Sequence, residues 1–129
     1  MKKQGMINRD IAAVLAKMGH TDQLTIADCG LPIPEGVPCI DLSYTLGKPS
    51  FTEVLTELLQ DFQVEKVYIA GEIKAENSKV YSKIKELECP IDELTHEQLK
   101  EQSSLSKVII RTGEATPYAN IIVQSGVIF

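Results

Sequence analysis

The sequence predicts an α/β layered fold, a largely parallel sheet with helices on both faces. Stretches with apolar residues at i, i+3, i+4, i+7 alternate along the chain with short β-branched runs, the pattern of strands joined by helical crossovers. The chain has 129 residues, 43% hydrophobic and 24% charged, which suits one folded domain over residues 1–129 built on one core. No repeat, low-complexity tract or long linker divides it.

Asn8 is the expected N-cap of the first helix. Ile11, Val14, Leu15 and Met18 form its inner face, and Gly19 ends it. A strand follows at Leu24 to Ala27, then a loop marked by Pro32, Pro34 and Gly36. Val37 to Leu42 reads as a second strand, with Pro38 at its start or on a sheet edge. Pro49 opens the second helix, where its missing N–H costs nothing. Phe51, Val54, Leu55, Leu58, Leu59 and Phe62 form the stripe of that helix.

Glu65 to Gly71 reads as a buried strand, and a third helix spans about Asn77 to Leu87, with Val80, Tyr81, Ile84 and Leu87 inward. Thr95 and Gln98 form a capping box for a fourth helix, with Leu94 and Leu99 as its hydrophobic staple. Lys107 to Ile110, Asn120 to Val123 and Val127 to Phe129 read as strands, which brings the sheet to about six. Only Gln124 to Gly126 separates the last two, so one of them is expected to run antiparallel, giving a mixed sheet. The apolar end Val127-Ile128-Phe129 has to be tucked into the core or covered by a partner subunit.

Composition excludes several function classes. With 13 basic against 18 acidic residues the net charge is −5, which disfavours general binding to nucleic acid or a membrane surface. The three cysteines, Cys29, Cys39 and Cys89, are widely spaced without a CxxC pair, so reduced thiols and a cytoplasmic location are expected. No apolar h-region follows Lys2-Lys3, and no run approaches the ~18 residues of a membrane span. Neither GxGxxG, GxxxxGK[ST] nor HExxH occurs, so no nucleotide cofactor and no metal are expected.

In open α/β sheets ligands bind beyond the carboxyl ends of the strands. Asp28, Asp41, Glu72 and Arg111 fall there, each readable as a solvated strand end or as a ligand-binding group. His20 follows the helix-ending Gly19, where it either complements the helix C-terminus or performs acid–base chemistry near neutral pH. Asp28, eight residues on, can fold back to orient that imidazole or bind a hydroxyl. His96 stands at the start of the fourth helix. The segment RTGEATPYAN, Arg111 to Asn120, is the densest polar stretch, with Arg111 and Glu114 available as an ion pair. If the chain is extended there, Tyr118 and Asn120 share one face and offer donors and acceptors suited to sugar hydroxyls, while Ala119 faces away.

Three segments carry a family resemblance: GHTDQLTIADCGLPIP (Gly19 to Pro34), IDLS (Ile40 to Ser43) and RTGEATPYANIIVQSGVIF (Arg111 to Phe129). Together with the opening KKQGMINRDIAAVLAKMGH they resemble the RbsD/FucU family of sugar ring-isomerases, above all its ribose branch, over essentially the whole chain. Cys29 departs from the pattern, which carries another small residue there. The resemblance implies an α/β/α sandwich assembled as a decamer of two stacked pentameric rings, with sites between neighbouring subunits. It implies interconversion of β-D-ribopyranose and β-D-ribofuranose without a cofactor, supplying ribose to a ribokinase. His20 matches the family's proton donor. Asp28, His96, Tyr118 and Asn120 match its sugar-binding positions, with Ala119 contributing through its backbone. The competing readings are an L-fucose mutarotase, a sugar-binding adaptor without catalysis, and a structural ring protein. A pure binder of neutral sugar has no need of a titratable His20.

Overall fold

The computed structural model describes the chain from Met1 to Phe129. In chain order its elements are α1 (Arg9–Lys17), β1 (Gln23–Ala27), β2 (Cys39–Asp41), α2 (Phe51–Gln60), β3 (Val64–Ala70), α3 (Ile73–Glu76), α4 (Ser78–Ile84), β4 (Ile91–Leu94), α5 (His96–Ser103), β5 (Ile109–Arg111) and β6 (Ile121–Ser125).

Side-chain caps decide where the helices begin. Asn8 accepts from the N–H groups of Asp10 and Ile11 and starts α1 as expected. The α2 start differs from the reading that placed Pro49 at its first turn. Ser50 and Glu53 make a reciprocal capping box, so Ser50 is the N-cap and Pro49 lies just outside the helix. The box satisfies two orphan donors at once and outweighs the preference for proline inside the first turn. Thr95 and Gln98 make the second capping box and start α5. The predicted third helix, about Asn77 to Leu87, is α4, which ends at Ile84 and is capped by Asn77 through the Val80 N–H; the single turn α3 before it was not foreseen.

The sheet has six strands in the order β2-β5-β1-β6-β3-β4. Five run parallel to one another, while β6 is antiparallel to both its neighbours, β1 and β3. The mostly parallel mixed sheet is therefore present, but one of its strands was not foreseen. Ile91–Leu94 (IDEL) is the edge strand beside β3, opposite the β2 edge, whereas Val127–Phe129 pairs with nothing. Alternation in IDEL is weak because an edge strand with one partner tolerates charge, which also protects the edge. Val37 to Leu42 contributes only its centre, and β5 starts two residues later and ends one later than predicted.

Helices do cover both faces, unevenly. On one face Ile11 of α1, Phe51, Val54, Leu55 and Leu58 of α2, Ile73 of α3 and Val80 and Ile84 of α4 pack on Leu24, Ile26, Val67, Ile69, Ile110, Ile121 and Val123. On the other, Leu99 of α5 packs on Ala70 and Ile122, and the loop residues Leu31 and Val37 pack on Ala27 and Ile109. Shortening a fully buried Leu58 or Leu24 to alanine removes about 2–5 kcal/mol of stability.

This topology sorts the polar residues. Because β1, β3, β4 and β5 are parallel, their carboxyl ends lie together, and β6 enters the sheet at that end. Asp28, Glu72, His96, Thr112 and Asn120 all fall there. His20 and Glu65 fall at the opposite end, beside the end of β6, where the Thr21 N–H donates to the Ser125 carbonyl.

Candidate active site at the carboxyl ends of the strands

Asp28 leaves β1 and Asn120 leads into β6, so the antiparallel pairing of these strands brings them side by side. They bond twice. The Asp28 backbone N–H donates to Asn120 Oδ1 (2.8 Å), and Asn120 Nδ2 donates to Asp28 Oδ2 (2.9 Å). The other carboxylate oxygen accepts the Gly30 N–H at 2.9 Å. Asn120 is fully buried. Both groups are thus fixed before any ligand arrives, which lowers the ordering cost of binding.

Tyr118 departs from the extended conformation considered in the sequence reading. Its φ is +57°, a left-handed turn, and the Asn120 N–H closes back on the Tyr118 carbonyl at 2.8 Å. Tyr118 and Asn120 therefore do not share a strand face. The turn instead sends Ala119 into the main core and lays the Tyr118 ring between the two core layers. The ring meets His96 edge to face, with centroids 5.1 Å apart and planes at 81°. Asn77 steadies the turn from outside, its Nδ2 donating to Thr116 Oγ1 (2.8 Å) and to the Pro117 carbonyl (2.9 Å).

His96 is the first residue of α5, and its backbone N–H, an orphan of the first turn, is taken by Glu72 Oε1 at 3.0 Å. That bond and the backbone N–H of Glu72 itself hold the Glu72 carboxyl below the usual carboxylate range.

Arg111 braces the site rather than entering it. Its guanidinium donates twice to the Cys29 carbonyl, through Nε (3.2 Å) and Nη2 (2.9 Å), and once each to Asp41 (2.9 Å) and Ser43 (2.6 Å). The anticipated pair with Glu114 does not form; Glu114 accepts from Thr116 instead. The Arg111 fork ties the loop after Asp28 to the ends of β2 and β5, a geometry that lysine cannot reproduce.

His20 does not join this group. The whole of β1, about 17 Å at roughly 3.3 Å per residue, separates it from Asp28, so Asp28 does not orient its imidazole. The partner is Glu65, whose Oε1 accepts from His20 Nε2 at 3.2 Å, while Oε2 accepts from Gln124. This places a proton on Nε2. Both side chains are half exposed, 51% for His20 and 43% for Glu65. Glu65 is a residue that sequence reasoning missed. It lies 45 positions from His20, and no local spacing marks such a pair.

No group of three or more His, Cys, Asp and Glu side chains is arranged to hold a metal ion, and no helix is long and apolar enough to cross a membrane. A groove of about 1050 Å³ lies elsewhere, between the N-terminal segment, residues 42–50 and α2.

The model of the RbsD / FucU transport protein family matches residues 1–128. The chain belongs to this family. Among its relatives, the D-ribose pyranase of Halalkalibacterium halodurans is 56% identical over the full length of both chains. Bacillus subtilis RbsD, solved in complex with D-ribose, is 47% identical and superposes with a TM-score of 0.98 over 100% of both chains. FucU from Bifidobacterium longum is more distant within the family, at 26% identity and a TM-score of 0.80 over 95% of this chain and 96% of that one.

Proposed function

We propose that the chain is a D-ribose pyranase, an isomerase that interconverts β-D-ribopyranose and β-D-ribofuranose. It acts as a single domain spanning residues 1–129, in the cytoplasm, without a cofactor, and feeds the furanose form to a ribokinase. The observation that carries the reading is the gathering of Asp28, Asn120, Tyr118 and His96 at one end of the sheet. A fixed carboxylate, an amide, a phenol and an imidazole together offer the donors and acceptors that a sugar's hydroxyls require. The identity to pyranases along the whole chain favours ribose over fucose.

In this reading His20 protonates the ring oxygen as the ring opens, and a second group takes the proton of the anomeric hydroxyl. A different hydroxyl then closes the ring. Asp28, His96, Tyr118 and Asn120 hold the sugar, with Ala119 setting the backbone between the last two. A positioned acid contributes about 10²–10⁴-fold.

The placement of His20 makes the oligomer part of the proposal. Within one chain it is too far from Asp28 to reach a shared sugar, so His20 of one subunit completes the pocket of the next. The assembly is a homodecamer of two stacked pentameric rings. Supporting it are apolar side chains left in water by the single chain: Ile128 (91% exposed), Phe129, Tyr44 and Leu46.

Saturation-transfer NMR on equilibrated D-ribose tests the activity. The protein is expected to accelerate exchange between pyranose and furanose signals, with the His20→Ala variant inactive. Acceleration of L-fucose anomer exchange alone would overturn the ribose assignment. Mixing inactive H20A and inactive D28N subunits tests the shared site. Activity returns if each mixed interface can pair an intact His20 with an intact Asp28, and stays absent if the site lies within one chain.

A further inference from the structure

Three amides on the α5 side of the sheet donate in one direction, toward Glu65. Gln102 Nε2 donates to Gln23 Oε1 (3.4 Å), Gln23 Nε2 to Gln124 Oε1 (3.1 Å), and Gln124 Nε2 to Glu65 Oε2 (3.0 Å). The Tyr68 hydroxyl adds a second donor to Gln124 Oε1 at 3.1 Å. An ionised carboxylate only accepts, so this chain of donors ends on it. The Gln124 amide first, and His20 after it, hold the Glu65 carboxyl below the usual carboxylate range. The backbone on both sides of the His20–Glu65 pair departs from regular geometry. The β3–β6 register shifts between Val64 and Lys66, so Glu65 is the unpaired residue of a bulge, a device that re-aims a side chain. A Cβ at Gly126 would stand 3.3 Å from the Glu65 Cβ and N, so glycine there makes room for the bulge. Thr21, next to His20, has φ +68°, costly for a β-branched residue, and its N–H is tied to the Ser125 carbonyl at 2.9 Å.

We propose that Glu65 is the positioning residue of His20: it engages Nε2, so that Nδ1 is the nitrogen that exchanges protons with the sugar in the neighbouring subunit's pocket. The pairing stands on the geometry, while the role of Nδ1 rests on the ring-isomerase reading. His20 Nε2 donates to Glu65 Oε1 at 3.2 Å, and Nδ1 makes no hydrogen bond within the chain. A carboxylate behind one ring nitrogen fixes the role of the other, as it does for metal-bound and nucleophile-paired histidines. The carboxylate selects the nitrogen only. The ring can still swing about its single contact, and the neighbouring subunit's surface sets its direction.

The step balances. His20 starts as the imidazolium, with one proton toward Glu65 and one on Nδ1. The bond from the anomeric carbon to the ring oxygen breaks, its electron pair stays on that oxygen, and the oxygen takes the Nδ1 proton. The O–H bond of the anomeric hydroxyl breaks, its electron pair forms the carbonyl, and its proton goes to water. The neutral ring keeps its proton on Nε2 and a lone pair on Nδ1. On reclosure another hydroxyl attacks the carbonyl carbon and gives its proton to Nδ1, while the carbonyl oxygen takes a proton back from water. Nothing is oxidised or reduced.

Solid-state ¹⁵N NMR on ring-labelled histidine locates the proton and does not depend on turnover. The chain has two histidines, so the H96Q variant leaves the His20 ring alone in the spectrum. In alkaline buffer, where the ring is neutral, the proton is expected on Nε2. A free imidazole also favours Nε2, so the decisive reading is the change in H96Q carrying Glu65→Gln. Gln124 still presents an N–H there, so the new amide turns its oxygen to Gln124 and its amino group to His20, and the proton is expected to move to Nδ1. In the otherwise native protein, Glu65→Gln is expected to lower kcat for ribose exchange at least about tenfold, on the order of a positioned acid's contribution, with KM little changed. A proton on Nδ1 of the neutral ring with Glu65 in place overturns the proposal, as does a spectrum or a kcat that Glu65→Gln leaves unchanged. Should Glu65→Gln fail to fold, Glu65→Ala removes the partner outright; the same loss of kcat is expected, and an unchanged kcat overturns the proposal. If the unmodified protein does not accelerate ribose exchange, the ring-isomerase reading falls and takes the role of Nδ1 with it, while the Glu65 pairing is judged on the spectrum.

Discussion

At the carboxyl end of the parallel strands, Asp28 and Asn120 are joined by two hydrogen bonds, and Asn120 is fully buried. At the opposite end, His20 and Glu65 share one 3.2 Å contact and remain half in water. Both ends carry an acid or base next to a polar partner, yet only the first is pre-organised by the chain itself. The difference teaches where the protein needs a neighbour. A rigid half-site can hold a sugar unaided, whereas an exposed histidine on a helix-ending turn gains direction only when a second surface confines it.

The largest expected effect tests whether the exposed end does chemistry at all. His20→Ala should lower the rate of pyranose–furanose exchange by about 10²–10⁴-fold, the range for a positioned acid. It should leave the denaturation midpoint almost unmoved, since surface changes usually stay within about 0.5 kcal/mol. A normal exchange rate would remove His20 from the mechanism and leave the carboxyl end as the whole site.

The second effect reverses that pattern. Asn120→Leu leaves the Asp28 N–H and Oδ2 without their partners in a part-buried setting, at an expected cost of about 1–3 kcal/mol, together with loss of ribose binding by calorimetry. Glu65→Gln at the other end should stay within about 0.5 kcal/mol. Equal losses in the two variants, measured by urea denaturation, would show that the ends are equally structural and would break the comparison.

The same contrast explains what could be read from the sequence. Caps, stripes and staples are local, so Asn8, Thr95, Gln98 and the stripe of α2 were legible in order and type. The edge strand Ile91–Leu94 was not, because an edge strand needs no clean alternation. The terminal VIF was misread because apolar character alone does not supply a pairing partner. Strand-end placement drew attention to Asp28, Glu72 and Arg111, which do lie at one end of the sheet. What the sequence hid was pairing across it. Arg111 chose Asp41 over Glu114, and His20 chose Glu65 over Asp28. Both choices follow from the strand order β2-β5-β1-β6-β3-β4, which puts β2 beside β5 and makes β1 a spacer between His20 and Asp28.

The smallest effect concerns the brace behind the rigid end. The Ser43 hydroxyl, more than the Arg111 guanidinium, holds the Asp41 carboxyl below its usual value. A carboxyl depressed in the folded state stabilises the protein above the ordinary carboxylate pKa of about 3.9. That contribution is lost as pH falls through the depressed folded value. Asp41 is 49% exposed, so water screens the pair and the contribution is under about 1 kcal/mol. Asp41→Asn should therefore lower the urea midpoint slightly at pH 7 and flatten its fall toward pH 3. Ribose affinity should not change, because the two bonds from Arg111 to the Cys29 carbonyl survive the substitution. A clear loss of affinity in this variant would mean that the ion pair, rather than the grip on that carbonyl, holds the Asp28 loop in place. The rigid end would then depend on a solvent-exposed contact, as the His20 end does.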